Sequence, residues 1–210
     1  MHLLGLNLLT QKTVINFDQD YILENDSVLL RPLKMEDFDY LKNFSLNEPD
    51  LWIHSLQRAD GLEKFEKYMQ TAVKGRLDQN AYAFIVFDKL TNQYAGSTRF
   101  YDIEPNHQST QLGYTWYGKA FQGTGLNKNC KYLLLQLAFD EWQMKRVEFR
   151  ASSENQRSIN AMISIGCKVE GTLRDHLVAE NGIRRSSIVL SILENEWRTS
   201  VKENLLNKIK

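Results

Sequence analysis

The chain has 210 residues, with 26 Lys and Arg against 26 Asp and Glu. That length fits one domain with a sizeable core, and the balanced charge argues against a dedicated nucleic-acid binder, whose footprint is a basic excess. No window approaches the ~18 consecutive apolar residues of a membrane span, and the short apolar start, residues 1–10, has neither a basic n-region nor a small-residue cleavage site. The expectation is a soluble, cytoplasmic protein. Two cysteines, Cys130 and Cys167, are too few for a disulfide framework and read as buried free thiols. His2, His54, His107 and His176 are isolated, without metal-ligand spacing, so no metal is expected.

Residues 1–27 lack strong periodicity and read as an extended N-terminal arm packing on a domain formed by residues 28–210. Residues 28–32 form a short strand ended by Pro32. Phe38, Leu41 and Phe44 then recur at helical spacing, with Glu36 and Asp37 near the helix start. Residues 47–59 break the pattern and form a loop holding Trp52 and His54. Asp60 is the expected cap of a second helix bearing Leu62, Phe65, Met69, Ala72 and Val73. Residues 82–87 and 94–101 form a hairpin around a turn at 88–93, and a further strand runs over 111–117. A long helix follows, with Leu133, Leu134, Leu137 and Phe139 on its apolar side. Next come a strand at 147–151, a helix at 155–165 stopped by Gly166, and strands at 168–178 and 184–193 around the turn Glu180-Asn181-Gly182. From Glu194 the chain is helical and charged. This order predicts an α+β fold: a mostly antiparallel sheet with helices packed on it, unlike the regular alternation of a dinucleotide-binding domain.

Between the strand at 111–117 and the long helix lies Gln122-Gly123-Thr124-Gly125-Leu126-Asn127. A glycine loop that ends a strand and opens a helix suits a phosphate, because free first-turn N–H groups and the helix dipole favour an anion. The NTPase loop needs a Gly-Lys-Ser/Thr ending, which is missing here. The dinucleotide fingerprint needs a third glycine inside a βαβ unit near the start of the fold. Both of those readings fail.

The loop instead resembles the Gln-x-x-Gly-x-(Gly/Ala) pyrophosphate loop of the GNAT superfamily of acyl-CoA-dependent N-acetyltransferases. Gln122 and Gly125 match, and Asn127 stands where Gly or Ala is usual. Asn155 and Ser158, followed by Gly166-Cys167, resemble the superfamily's Asn-x-x-(Ala/Ser)…Gly-Phe segment, with Cys in place of Phe. Leu30-Arg31-Pro32-Leu33, Leu112-Gly113-Tyr114 and the run from Ser191 to Trp197 resemble the branch containing ribosomal-protein N-terminal acetyltransferases. The resemblance covers about residues 28–198. It implies a mixed, mostly antiparallel sheet flanked by helices, with the fourth and fifth strands (counted from residue 28) splayed apart.

The resemblance also implies an enzyme that moves an acetyl group from acetyl-CoA to a primary amine, either a protein N-terminal α-amine or a small molecule. The amides of Gly123, Thr124, Gly125, Leu126 and Asn127, with Gln122, would hold the pyrophosphate. Thr115, Trp116 and Tyr117 would pair with the pantetheine arm as an added strand. Asn155 would hydrogen-bond that arm, besides its ordinary use as a helix cap. The departing thiolate usually meets a Tyr at the place of Met162, which cannot donate, so Ser158 is the candidate donor. Related enzymes often carry a Glu base where this chain has Gln111, which cannot take a proton at neutral pH but can orient a water. Asp102, Glu104, His107 and His54 are the remaining candidates for a base, and each reads more readily as a solvated loop residue. Trp52, His54 and Tyr101 lie on segments that line the acceptor cleft in relatives. Gln111 and Met162 keep open a second reading, a non-catalytic acyl-CoA-binding or sensor domain. No nucleic acid or membrane partner is implied, and a homodimer is left open.

Overall fold

The computed structural model describes residues 15–179 and 182–209. Its strands are β1 (Leu23–Glu24), β2 (Val28–Pro32), β3 (Tyr82–Asp88), β4 (Gln93–Glu104), β5 (Ser109–Tyr117), β6 (Arg146–Ser152), β7 (Lys168–Val178) and β8 (Arg184–Leu193). They form one sheet in the order β1-β2-β3-β4-β5-β6-β8-β7. All neighbours are antiparallel except β5 and β6, which run parallel. The helices are α1 (Phe38–Asn47), α2 (Leu62–Leu77), α3 (Leu126–Gln136), α4 (Gln156–Ser164), α5 (Glu194–Glu196) and α6 (Lys202–Asn207). The fold is α+β, as the element order implies.

Strand β3 is apolar at nearly every position because both of its faces are covered. Tyr82, Phe84 and Val86 point into a core shared with α3, α4 and the C-terminal helix through Leu134, Ile159 and Leu205. Ala83 and Ile85 point into a second core shared with α1 and α2 through Leu41, Phe65, Tyr68 and Met69. The sheet thus lies between two helical layers. Part of the arm packs into the first layer: Ile15, Phe17, Tyr21 and Leu23 are buried there. Tyr21 meets Tyr82 and Trp142 edge-on at 5.5 Å each, and Arg76 donates to the Phe17 carbonyl at 2.6 Å.

Several local details depart from expectation. Gly61, at φ +89°, caps α2 in place of Asp60, whose carboxylate is taken by Arg58 at 2.6 Å and Lys64 at 3.4 Å. Within the arm, β1 adds a two-residue strand to β2. The long helix after the glycine loop is α only to Gln136 and finishes as a π-turn over Leu137–Glu141. A second π-turn, Trp197–Val201, joins α5 to α6. Of the predicted turn between β7 and β8, Glu180 and Asn181 lie outside the described residues, as do residues 1–14 of the arm. Cys130 and Cys167 are buried and free.

Candidate active site

Strands β5 and β6 pair only through Ser109–Arg146, Thr110–Val147 and Gln111–Glu148. Beyond Gln111 the two strands part, and β6 continues beside β8 to Ser152. The edge of β5 from Leu112 to Tyr117 that would face β6 therefore has no strand partner. A bulge explains the divergence. Ser97 sits opposite Trp116 and Arg99 opposite Gly113, so three steps along β5 match two along β4. Tyr114 occupies the left-handed region at φ +48°, which bends the strand. The end of β5 lies so close to β4 that a Cβ on Gly96 would stand 2.0 Å from the Trp116 carbonyl oxygen and 2.9 Å from the Tyr117 Cα.

The glycine loop follows at once. Gly123 (φ +79°) and Gly125 (φ +92°) are left-handed, with open space where a Cβ would stand. Thr124 folds its hydroxyl back onto the Phe121 carbonyl at 2.9 Å. The backbone N–H groups of Gly123, Thr124, Gly125 and Asn127 find no acceptor among the described residues, while Leu126 N–H reaches only the Thr124 hydroxyl at 3.4 Å. Gln122 is a clamp: its amide donates to the Tyr117 carbonyl at 2.8 Å and its oxygen accepts from Arg157 on α4. Arg157 is a cation beside the loop that sequence reasoning missed, although it lies within the Asn155–Ser158 segment.

Asn155 caps α4, its side-chain oxygen accepting from Ser158 N–H at 3.1 Å. Its amide NH2 has no partner among the described residues, and neither does the Ser158 hydroxyl. Both stand at the start of α4, which directly follows β6, the strand that borders the β5–β6 opening. The side chains of Thr115, Trp116 and Tyr117 point away from the free edge into packing. Thr115 bonds Thr98 and Lys131, Trp116 donates to the Tyr68 hydroxyl at 3.1 Å, and Tyr117 is buried. What these three residues offer a ligand is backbone.

On the other side of the split lies an open cleft of about 250 Å³, lined by residues that include His54, Tyr101, Asp102, Gln111, Tyr114, Arg150, His176 and Arg185. Gln111 donates from Nε2 to Asp102 at 2.8 Å, while its buried Oε1 has no partner. Burial raises the phenol pKa values of Tyr101 and Tyr114, so both remain neutral donors. Arg185 donates to the His54 and Ser55 carbonyls at 2.9 and 3.3 Å, tying the 53–61 loop to β8. His176 presents a ring whose Nδ1 is buried without a partner. Among the described residues, three within strands hold a left-handed backbone without being glycine: Asp102, Tyr114 and Asp175. Each sits at a register shift, in β4, β5 and β7 respectively, and each lines the cleft or adjoins a residue that does. Strain of this kind gathers where side chains must be aimed.

Expectation for the cleft is corrected at one place. Trp52 is fully buried among Phe65, Tyr68 and Trp116, 4.8 Å from the Trp116 ring, and does not line the cleft. Its large apolar surface is needed between α2 and the sheet. Glu104 and His107 are exposed at the far end of the β4–β5 hairpin, as solvated residues, and are absent from the lining. Tyr114, Arg150, His176 and Arg185 were not singled out in the sequence for this site. Among the described residues no group of His, Cys, Asp and Glu is placed to hold a metal, and no helix is long and apolar enough to cross a membrane.

A split parallel pair beside a left-handed glycine loop is what the GNAT resemblance requires, and comparison with known proteins decides it. The model of the Acetyltransferase (GNAT) domain matches residues 27–168. The chain belongs to the GNAT acetyltransferases. It is similar to YdaF of Bacillus subtilis (strain 168), which bears the name of a ribosomal N-acetyltransferase, with 24% identity over 178 residues covering 82% of this chain and 94% of YdaF. Among solved structures, the GCN5-related N-acetyltransferase from Brucella melitensis shares the fold at a TM-score of 0.84 and 24% identity, covering 91% of this chain and 86% of that one. The ribosomal-protein-S5-alanine acetyltransferase from Vibrio fischeri shares it at 0.70 and 20%, covering 85% and 99%. As a GNAT protein with N-acetyltransferase relatives, the chain is an acyltransferase.

Proposed function

We propose that the chain transfers acetyl from acetyl-CoA to a primary amine by direct attack, in the cytoplasm. The observation that carries this reading is the free edge of β5 running into the free N–H groups of residues 123–127. An amide-rich arm ending in a pyrophosphate complements both at once, the first as an added strand and the second as a helix-terminus anion. Asn155, with an idle NH2, and Arg157 add polar contacts along the same line. The amine enters from the cleft, lined by Gln111 and the Asp102 carboxylate, with His54 and Tyr101 as walls. Backbone N–H groups of the β5 bulge receive the oxyanion, and the Ser158 hydroxyl serves the departing thiolate.

The proton chemistry favours a weakly basic acceptor. An α-amine, with pKa about 7.7–8.0, is roughly 15% neutral at pH 7, whereas a lysine-like amine is only ~0.04% neutral. With Gln111 in place of a carboxylate, an N-terminal α-amine or a similarly weak small-molecule amine is the better substrate. The test measures CoA release with N-terminal peptides, lysine side-chain peptides and small amines. Turnover highest for α-amines is the expected result. Absence of CoA binding, or a melting temperature raised by ATP but not by CoA, overturns the reading.

A further inference from the structure

Among the described residues, Arg99 and Lys131 are cations buried without a carboxylate opposite. Arg99 on β4 is 4% exposed, and its Nε and Nη2 have no hydrogen-bond partner. Its guanidinium carbon lies 4.0 Å from the centre of the Tyr114 ring and 5.2 Å from that of Tyr68. Lys131 on α3 is also 4% exposed. Its Nζ donates to the Thr115 hydroxyl at 2.8 Å and the Thr98 hydroxyl at 3.3 Å. Neither forms an ion pair among the described residues. Taking a cation out of water without a counter-ion is costly, and fully buried Lys and Arg are rare unless paired.

Their placement is specific. Arg99 lies on the face covered by α2, and Lys131 comes from α3 on the other face. They act on consecutive residues of β5, Tyr114 and Thr115, at the bulge where that strand has already left β6. The ionisable groups around Lys131 are Cys130 on its own helix and Cys167 before β7, with Tyr117 of β5 against Cys130. Burial pushes the Cys130 thiol up to about 12, the Cys167 thiol higher still, and the Tyr117 phenol well above its ordinary value. All three are neutral at working pH and supply no counter-charge. Burial lowers the Lys131 ammonium to about 8, leaving it charged at pH 7. Around Arg99 the facing groups are the phenol rings of Tyr68 and Tyr114, and no carboxylate bonds it among the described residues.

We propose that Arg99 and Lys131 form a preset electropositive bracket around the middle of β5, which stabilises the negative charge that develops during acetyl transfer. This rests on the reading that the acyl donor lies along the β5 edge. In the reaction the amine nitrogen attacks the thioester carbon and forms a C–N bond, and the carbonyl electrons move to oxygen. The oxyanion collapses, the C–S bond breaks, and sulfur leaves with the electron pair. One proton is lost from the nitrogen and one is gained by the thiolate, giving amide and thiol. Oxyanion and thiolate both form beside Tyr114 and Thr115. Fixed charges in a dry site stabilise them strongly without reorganising. Arg99 and Lys131 work through the field and not by contact, so they are positioning residues.

The experiment titrates the thiol of CoA bound to the full-length protein, followed by thiolate ultraviolet absorbance. Free thiols titrate near ~8.5. Bound CoA is expected to titrate about one pH unit lower in the native protein, a ten-fold gain in acidity. Arg99→Met and Lys131→Met should each lose most of that shift, while Lys131→Arg keeps it. A merely structural role predicts that the Met variants melt below the native protein; the bracket predicts that they melt at or above it, with kcat down about ten-fold and acetyl-CoA affinity little changed. Native kcat should fall above about pH 8 as Lys131 loses its proton, and Lys131→Arg should hold its rate there. Bound CoA that titrates like free CoA, or Met variants with native kcat, overturns the bracket. If a Met variant does not fold, the native titration and Lys131→Arg decide. A protein that shifts the CoA thiol but acetylates no amine leaves the bracket standing and removes the acetyl-transfer reading; one that binds no CoA removes both.

Discussion

The two sides of the split sheet are built from different materials. On the proposed donor side the available groups are backbone: the bare edge of β5 and the N–H groups of a loop held open by Gly123 and Gly125. On the proposed acceptor side they are side chains arriving from the 53–61 loop, β4, β5, β6, β7 and β8. A backbone site accepts many side chains but few changes of conformation. A side-chain site keeps its fold through many substitutions, each of which changes what it selects. One protein can thus keep a constant donor while its acceptor varies.

Substitutions can break or sharpen that contrast. The largest effect is expected from Gly125→Glu, which places bulk, charge and a disfavoured left-handed residue in the proposed pyrophosphate loop; CoA affinity should fall about a hundred-fold or more while the melting temperature falls by only a few degrees. Calorimetry with CoA checks this, and unchanged affinity in a folded variant would sink the loop assignment. Trp52→Ala comes next, because a fully buried indole costs about 3–5 kcal/mol when truncated. Chemical denaturation should show that loss, whereas a small loss accompanied by a raised acceptor KM would return Trp52 to the cleft. Ser158→Ala should lower kcat about ten-fold, roughly 1.4 kcal/mol, without weakening acetyl-CoA binding; equal turnover removes Ser158 from the chemistry. For Arg185→Ala the expected change is smaller, a few-fold rise in acceptor KM at constant donor affinity as the His54 loop is untied.

The smallest effect lies in the platform beneath the cleft, where Arg146 on β6 and Ser191 on β8 both bond Glu170 on β7. The Arg146 hydrogen bonds, then that of Ser191, lower the Glu170 pKa from 4.5 to about 2. A carboxylate with a depressed folded pKa adds stability above its unfolded value and loses it as pH falls through the folded one. Glu170→Gln should therefore cost less than about 1 kcal/mol at pH 7, given its solvent exposure. Melting curves of the variant and native protein should converge as pH approaches about 2. A gap that persists there would mean that the glutamate packs and does not pair.

The same contrast governs what was legible in the sequence. Gln122, Gly125, Asn155 and Ser158 stand at short fixed spacings, because a loop and a helix start are local structures whose residues must be neighbours. Element order was readable for the same reason, since periodicity is local. His176 and Arg185 join His54 only through long-range pairing of β7, β8 and β6, which no local pattern encodes. Trp52 shows the complementary error: an aromatic in a loop beside the cleft can point either way, and here it points inward. The π-turn at residues 137–141 left no trace, because one extra residue in a turn barely alters an apolar pattern this dense. Asp60 carries the chemistry of a cap, but Arg58 and Lys64 compete for it.

Gly96 acts at a distance from any ligand. A methyl group there would wedge against Trp116 and Tyr117 and drive the tip of β5 sideways toward β6. The crevice would then tend to zip shut, its hydrogen bonds spent on its neighbour. The width of the enzyme's mouth is thus held, in part, by the side chain that one residue on the opposite strand does not have.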